Sequence, residues 1–507
     1  MTDGAGAGTT GARPVRASGD RRAGRRPAYA GAVFELHHLS AQDQWDQLQR
    51  GEVTPTELVT HYLERIERLD PGLGAFTTVT ADRALARARH VEREVPRTAP
   101  LWGLPFGDKD LSERAGVRTT FGSRLFRDHV SERTDPIPQA LDDAGGISLG
   151  KTSAPEFGLP SYTEGLVAPP ARTPWDTTRG AGGSSGGAAV AVSAGLLPFA
   201  PGTDGGGSVR IPAAATGLVG LKPSRGLVPA QSGLESLAGL VVPGPLARGV
   251  ADAAMLLDAM IGRVNGRIPH PFTLRAPEDG DGDLLGAAVR GEGRFQIGVM
   301  TTSPWDDAYE IVLDPSARDA LAVAVRELAD VGHGLEDLAL APDPTYAPAF
   351  RTIWQAGAAG IPAEGADLEL LEPLTRWLVE RGRALGARDL ARALAQLTAF
   401  ERSVIAQFAH VDAVLTPALA LEPLPLGWYD AEDGERNFAQ QVRYTPYTSF
   451  ANVTGLPAIT LPVHLTDDGL PMGVQLIGRP GGEATLLAIG RQLERRLGWL
   501  RRHPPQW

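Results

Sequence analysis

Apolar side chains fall at helical spacing near the start of this chain and at strand spacing further on. Thr54-Pro55-Thr56-Glu57 predicts a helix N-terminus, with a cap, a proline at the first helical position and a glutamate three residues after the cap. Leu58, Tyr62, Ile66 and Leu69 then share one helical face. An Ala- and Arg-rich helix is predicted near Ala81–Val95, and the apolar stretch Pro100–Gly107 predicts a short strand entering Asp108-Lys109-Asp110. From there to about Leu257 strand-like and helical pieces alternate, which favours a mixed sheet covered on both faces. Phe295–Met300 reads as a further strand, and Ser316–Val331 as a helix with Leu321, Val325 and Leu328 inward. Ala413–Thr416 and Ala458–Val463 read as strands returning to the sheet, and Thr485–Leu497 as a closing helix. The stretch from Gly266 to about Pro446 carries Pro/Gly-rich turns and the fewest motifs, the pattern expected of pocket walls and lids. Residues 1 to about 33 hold scarcely any large apolar side chain, so they are expected to form a disordered tail.

At 507 residues and 42% hydrophobic content, the chain can bury a large core. Its 49 Lys and Arg against 60 Asp and Glu give a net charge of −11, which argues against a nucleic-acid-binding surface. The first thirty residues hold six Arg and two Asp, so the acidity belongs to the rest of the chain. There are no cysteines, which removes disulfides, a thiol nucleophile and thiolate metal sites. The ten histidines lack metal-ligand spacing, and the pair His37–His38 reads as the start of the first ordered segment. No metal site is therefore predicted. The arginine-rich tail lacks the apolar stretch of a secretory signal, and no window reaches the ~18 apolar residues of a membrane span. Ala188–Ala200 is too short for one and contains Pro198. These features predict a cytoplasmic protein without a membrane partner.

Candidate chemistry centres on two glycine-serine loops, Gly182-Gly183-Ser184-Ser185-Gly186-Gly187 and Gly205-Gly206-Gly207-Ser208-Val209-Arg210. Glycines let a backbone bring N–H groups close to a bound oxygen, and each serine offers a hydroxyl. The apolar Val190, Val192, Leu196, Leu197 and Phe199 between them argue against a flexible linker. Three other motifs are set aside on context. Gly145–Thr152 matches the P-loop pattern, yet its Ile147 and Leu149 read as a strand where a phosphate cradle would be, and Pro138–Ala144 before it is helix-like. Gly183–Gly187 matches a nucleophile elbow, which would make Ser185 the nucleophile, but the polar Asp176–Ala181 cannot be the strand that must precede it. Asn452-Val453-Thr454 matches a glycosylation acceptor in a chain with no secretory signal.

A lysine after an apolar strand, in Leu104-Pro105-Phe106-Gly107-Asp108-Lys109-Asp110, then GGSSGG, then Gly202-Thr203-Asp204 leading to Ser208 and Arg210, resembles the amidase signature family of serine hydrolases. The second serine stands twenty-four residues after the first, and the resemblance resumes at Asn452–Gly478. It implies a large single α/β/α domain with a central mixed twisted sheet over residues 34–507, a signature core at about 101–257 and a variable substrate-pocket region at about 266–446. It further implies Ser208 as nucleophile, Ser184 as the hydroxyl bridging Ser208 to Lys109, and Lys109 as base, with a cis peptide bond before Ser184. The amides of Gly205, Gly206, Gly207 and Ser208 would form the oxyanion hole. Asp204 and Arg210 would be a structural pair, with Ser185 in a supporting place. Gly205 stands where many members of the family carry Ile, Thr or Ala. By itself Lys109 would read as a surface lysine paired with Asp108 and Asp110. To act as a base it must be neutral, so its pKa must fall from about 10.4 towards neutrality, which burial can bring about.

The function implied is hydrolysis of a small-molecule carboxamide through an acyl-enzyme, with no metal or organic cofactor. A glutamine-hydrolysing amidotransferase A-type subunit would use the same triad but need partner chains. A non-catalytic binding protein on the same fold is the rival from another class, and the intact Lys109, Ser184 and Ser208 speak against it. Aliphatic, aryl and peptide amides, lactams and carbamates all fit the sequence, as does either a monomer or a homo-oligomer. Phe157–Thr163, Leu234–Val242 and the Gly266–Pro446 region are expected to supply the pocket walls.

Overall fold

Thr54 caps the helix Pro55–Leu73 as its sequence predicts: its side chain accepts from Glu57 N while the Glu57 carboxylate accepts from Thr54 N. Leu58, Tyr62 and Ile66 face inward along it. The computed structural model describes Met1 and residues 35–228, 236–262 and 283–507. The tail predicted over residues 1–33 lies outside the described residues apart from Met1, as do residues 266–282 of the predicted variable region and Leu234 and Glu235 of the expected pocket wall. Leu36–Trp507 form one compact unit, which begins with the single turn Leu36–His38.

Eleven strands are present among the described residues: β1 (Phe76–Val79), β2 (Pro105–Lys109), β3 (Ile147–Thr152), β4 (Phe199–Asp204), β5 (Val219–Lys222), β6 (Val242–Ala247), β7 (Gln296–Val299), β8 (Gly334–Asp337), β9 (Ala413–Pro417), β10 (Ala458–Leu465) and β11 (Pro471–Gly478). They make a three-stranded sheet in the order β1-β3-β2 and an eight-stranded sheet in the order β4-β6-β5-β10-β11-β9-β7-β8. Parallel pairs (β2 with β3, β7 with β8 and β9) mix with antiparallel ones, as the alternating pattern predicts. The two sheets meet where their edge strands β2 and β4 run side by side. Strand β3 occupies the interior of the P-loop look-alike and follows the helix Pro136–Asp143, so no phosphate loop forms there.

The helix Gly186–Ser193 lies against strands of both sheets, and all eight of its residues are buried. Its first turn needs glycine for a steric reason. A Cβ on Gly187 would stand 2.3 Å from Ser153 N and 2.4 Å from the Ala75 carbonyl. The apolar residues between the two loops are thus core that fixes both loops in space.

The described part of the Gly266–Pro446 region is chiefly helical: the helix predicted at Ser316–Val331 forms as Pro315–Val331, and Tyr346–Ala358, Pro373–Arg383, Ala387–Phe408 and Gly434–Tyr444, which the sequence reading does not place, follow it. Ala393, Leu397, Phe400, Val404 and Phe408 are buried along the longest of these at helical spacing. Prolines fall at helix starts here, at Pro315 and Pro373, where the missing N–H costs nothing. Of these helices, Tyr346–Ala358, Ala387–Phe408 and Gly434–Tyr444 build a second core around Trp305, Tyr346, Phe350 and Phe400, and it backs one wall of the site.

Candidate active site

Strand β2 ends at Lys109, and the two-residue period of the strand separates this side chain from its acidic neighbours. Asp108 accepts from Arg114 Nε at 2.6 Å and from Ser148 Oγ at 2.7 Å, while Asp110 accepts from Thr120 N and Thr120 Oγ1. Lys109 is 1% exposed and is not paired with either. Its Nζ donates instead to Ser184 Oγ at 2.8 Å and to the Thr203 carbonyl at 3.2 Å, and lies 2.9 Å from Thr203 Oγ1. Burial pushes the ammonium down from 10.5 to about 7, against the opposing pull of the Asp204 carboxylate. Ser184 follows a cis peptide bond with Gly183.

The second loop is held from below by a buried charge cluster. Arg210 donates from Nη2 to Asp204 Oδ1 at 2.8 Å and from Nε to Oδ2 at 3.0 Å, and both side chains are fully buried. Desolvation alone would raise the Asp204 carboxyl, but the Arg210 guanidinium, with the Asn452 amide and the Lys222 ammonium, outweighs it and holds the group well below the usual carboxylate range. Asp204 also accepts from Gly207 N at 2.7 Å and Val209 N at 3.1 Å, so it clamps the turn on which Ser208 sits. Gly207 has φ 127°, and a Cβ there would stand 2.4 Å from Thr448 Oγ1, whose hydroxyl donates to the Gly206 carbonyl at 2.7 Å. Of the four predicted oxyanion donors, Gly207 N–H thus points into the clamp. No described residue accepts from the N–H of Gly205, Gly206 or Ser208.

Ser185 N donates to the Ser208 carbonyl at 3.1 Å and ties the two loops together. Ser185 Oγ donates to the Thr203 carbonyl at 3.3 Å, so this hydroxyl is engaged inside the scaffold and does not face the cavity. No strand precedes Ser185, as a nucleophile elbow would need. Ser184, Thr203, Gly205 and Ser208 line one cavity of about 480 Å³. Phe157–Leu159 and Ser236–Val242 supply walls as expected, while Ile353, Trp354 and Gly357 come from the helix Tyr346–Ala358. Gly205, the position where the chain departs from the family pattern, lies between Val241 and the indole of Trp354: a Cβ there would stand 3.2 Å from Val241 Cγ2 and in ordinary contact, 3.6 Å, with Trp354 Cη2.

Several residues that hold the candidate site together escape sequence reasoning. Thr203, second partner of Lys109, sits inside a motif read only for its neighbours. Asn452, which opens the second stretch of family resemblance and to which the sequence assigns no role, is fully buried; its Nδ2 donates to the Asp204 carbonyl at 2.7 Å and its Oδ1 accepts from Arg210 Nη2 at 2.7 Å. Gln475 on β11 completes the guanidinium's partners at 2.6 Å. Among the described residues, no group of three or more His, Asp or Glu is placed to hold a metal ion, and no helix is long and apolar enough to cross a membrane.

The profile of the family described as Amidase matches residues 57–487. A Mycobacterium tuberculosis (strain ATCC 25618 / H37Rv) protein named "Putative amidase AmiB2" is 36% identical over 93% of this chain and 98% of its own length. The A-type subunit of the glutamyl-tRNA(Gln) amidotransferase of Roseiflexus sp. (strain RS-1) is 32% identical over 92% of this chain and 98% of its own. Among solved structures, 6-aminohexanoate cyclic dimer hydrolase complexed with substrate superposes with a TM-score of 0.83 at 27% identity, covering 93% of this chain and 99% of that one.

Proposed function

The chain belongs to the amidase signature family of amide hydrolases, and from that premise we propose that it cleaves a carboxamide C–N bond through an acyl-enzyme on Ser208. One observation carries this reading: a buried lysine with its pKa near 7 lies 2.8 Å from a serine hydroxyl that shares a cavity with Ser208. Neutral Lys109 accepts a proton from Ser184 as Ser184 accepts the proton of Ser208. The Ser208 Oγ–carbon bond then forms, and the developing oxyanion is met by the N–H groups of Gly205, Gly206 and Ser208, while Gly207 N–H keeps Asp204 in place. The C–N bond breaks as Ser184 returns a proton to the departing nitrogen. Water, activated by the same relay, then splits the ester to carboxylate and frees Ser208.

The amidotransferase reading draws on the 32% identical relative. Against it stands the lining of the large cavity. Its charged groups are engaged: Arg225 with Glu401 at 3.3 Å and with the carbonyls of Gly239, Asn452 and Val453, and Asp135 with Glu113 N at 2.7 Å. A zwitterion such as glutamine would therefore find no uncommitted charge among these residues. The purified chain alone is expected to release amine or ammonia from simple amides, with Ser208→Ala lowering turnover by about 10³-fold or more. Turnover confined to glutamine, and only with partner chains added, would favour the amidotransferase instead.

A further inference from the structure

The loop Pro155–Leu159 runs past the first glycine-serine loop, and its Phe157, Gly158 and Leu159 line the cavity of Ser184 and Ser208. Phe157 and Gly158 both lie in the left-handed region, at φ 51° and 68°, and a phenylalanine stays there only where its surroundings hold it. A Cβ on Gly158 would stand 3.2 Å from Ser184 Oγ and 2.6 Å from Leu111 Cδ1, so the backbone here packs directly beside the bridging hydroxyl. A serine side chain has three staggered positions, and the one that meets Lys109 Nζ at 2.8 Å is taken with this backbone against it.

Glu156 holds the loop in place. Its side chain is fully buried; Oε1 accepts from Ser123 Oγ at 2.6 Å and Oε2 from Glu372 N at 2.8 Å. Glu372 opens the helix Pro373–Arg383, and its own carboxyl accepts from Leu166 N at 3.0 Å, so the helix is tied to this part of the chain twice. Leu374, Leu378 and Val379 of the helix share a small core with Phe157, Leu159 and Trp354, although no residue of the helix lines the cavity itself. We propose that Glu156 is a positioning residue for Ser184, given the Ser208–Ser184–Lys109 relay on which the inference rests: its two oxygens fix the loop between Ser123 and the helix Pro373–Arg383, and the loop keeps the relay hydroxyl in line. The side chain serves as a pair of hydrogen-bonding sites and not as an acid. Glutamine can fill that place, with Oε1 accepting from Glu372 N and Nε2 donating to Ser123 Oγ, whereas leucine leaves both donors unpaired where no water reaches them.

The test measures kcat for an amide that the wild type turns over and for the p-nitrophenyl ester of the same acid. Glu156→Leu should lower kcat on the amide by about 100-fold and on the ester by less than about tenfold, because only the amide needs the proton that Ser184 returns. Glu156→Gln should keep the wild-type amide-to-ester ratio to within about threefold. In a Ser184→Ala background, Glu156→Leu should cost no more than about threefold further, since the hydroxyl it positions is gone. Ser123→Ala removes one of the two ties; it should show the same bias at about tenfold, and it decides the matter should Glu156→Leu fail to fold. Equal losses on amide and ester in these variants, or a loss by Glu156→Leu that adds in full to that of Ser184→Ala, would overturn the role. If Ser208→Ala were inactive and Ser184→Ala biased against the amide, the relay would survive that result. A Ser184→Ala enzyme without the bias would instead remove the relay, and the role of Glu156 with it.

Discussion

Replacing Lys109 by Ala is expected to lower amide turnover by about 10³- to 10⁴-fold while lowering turnover of an activated ester by only about tenfold to 100-fold. The difference follows from the leaving group. An amine departs only when protonated, so it needs the proton that Lys109 and Ser184 hand back, whereas a good alkoxide or phenoxide leaves without it. The same position fixes the pH profile. Burial brings Lys109 to about 7, and below that value the ammonium has no lone pair to accept the Ser184 proton. Wild-type kcat/KM on amides should therefore rise about tenfold per pH unit up to about 7 and stay level above it, and Lys109→Ala should lose this rise. Wild-type amide turnover in Lys109→Ala across the pH range would mean that the relay ends in another base.

The second large effect is on stability. Arg210→Met leaves the Asp204 carboxylate in a fully buried place without its counter-charge, a loss of about 3–5 kcal/mol in unfolding free energy. Catalysis should fall with it even where the protein stays folded, because Asp204 fixes Gly207 N and Val209 N on either side of Ser208. Neutralising the partner as well, in Asp204→Asn with Arg210→Met, removes the orphaned charge. Part of the lost stability, about 1–2 kcal/mol, should return while activity stays low. Denaturant midpoints of the single and double variants check this, and a single variant within about 0.5 kcal/mol of the wild type would deny the cluster its role.

Local signals in the sequence carried further than tertiary ones. The cap at Thr54, the strand character of Ile147–Thr152 inside a P-loop pattern and the strand leading to Lys109 follow from periodicity and caps, which a few neighbouring residues determine. The family resemblance supplied the serine roles and the cis bond before Ser184, which periodicity alone does not carry. In the variable region the helix Pro315–Val331 is read from its spacing, whereas Ala387–Phe408 is not, although Leu397, Phe400, Val404 and Phe408 carry the same helical signal. What no local pattern could reveal is which buried polar groups meet. Asn452 and Gln475 lie some 240 to 270 positions from Arg210 along the chain, and only the fold brings them within 2.7 Å of its guanidinium. The commitment of Gly207 N–H to Asp204 is of the same kind, since a run of three glycines does not say which amide faces the substrate.

The proposed chemistry requires Ser208 to be the acylated residue. Treating the protein with a fluorophosphonate serine probe, digesting it and mapping the adduct by mass spectrometry tests this directly. The adduct is expected on the peptide containing Ser208 and absent from Ser208→Ala. Labelling of Ser185 in the wild type, undiminished in Ser208→Ala, would contradict the account and return the chemistry to the first glycine-serine loop.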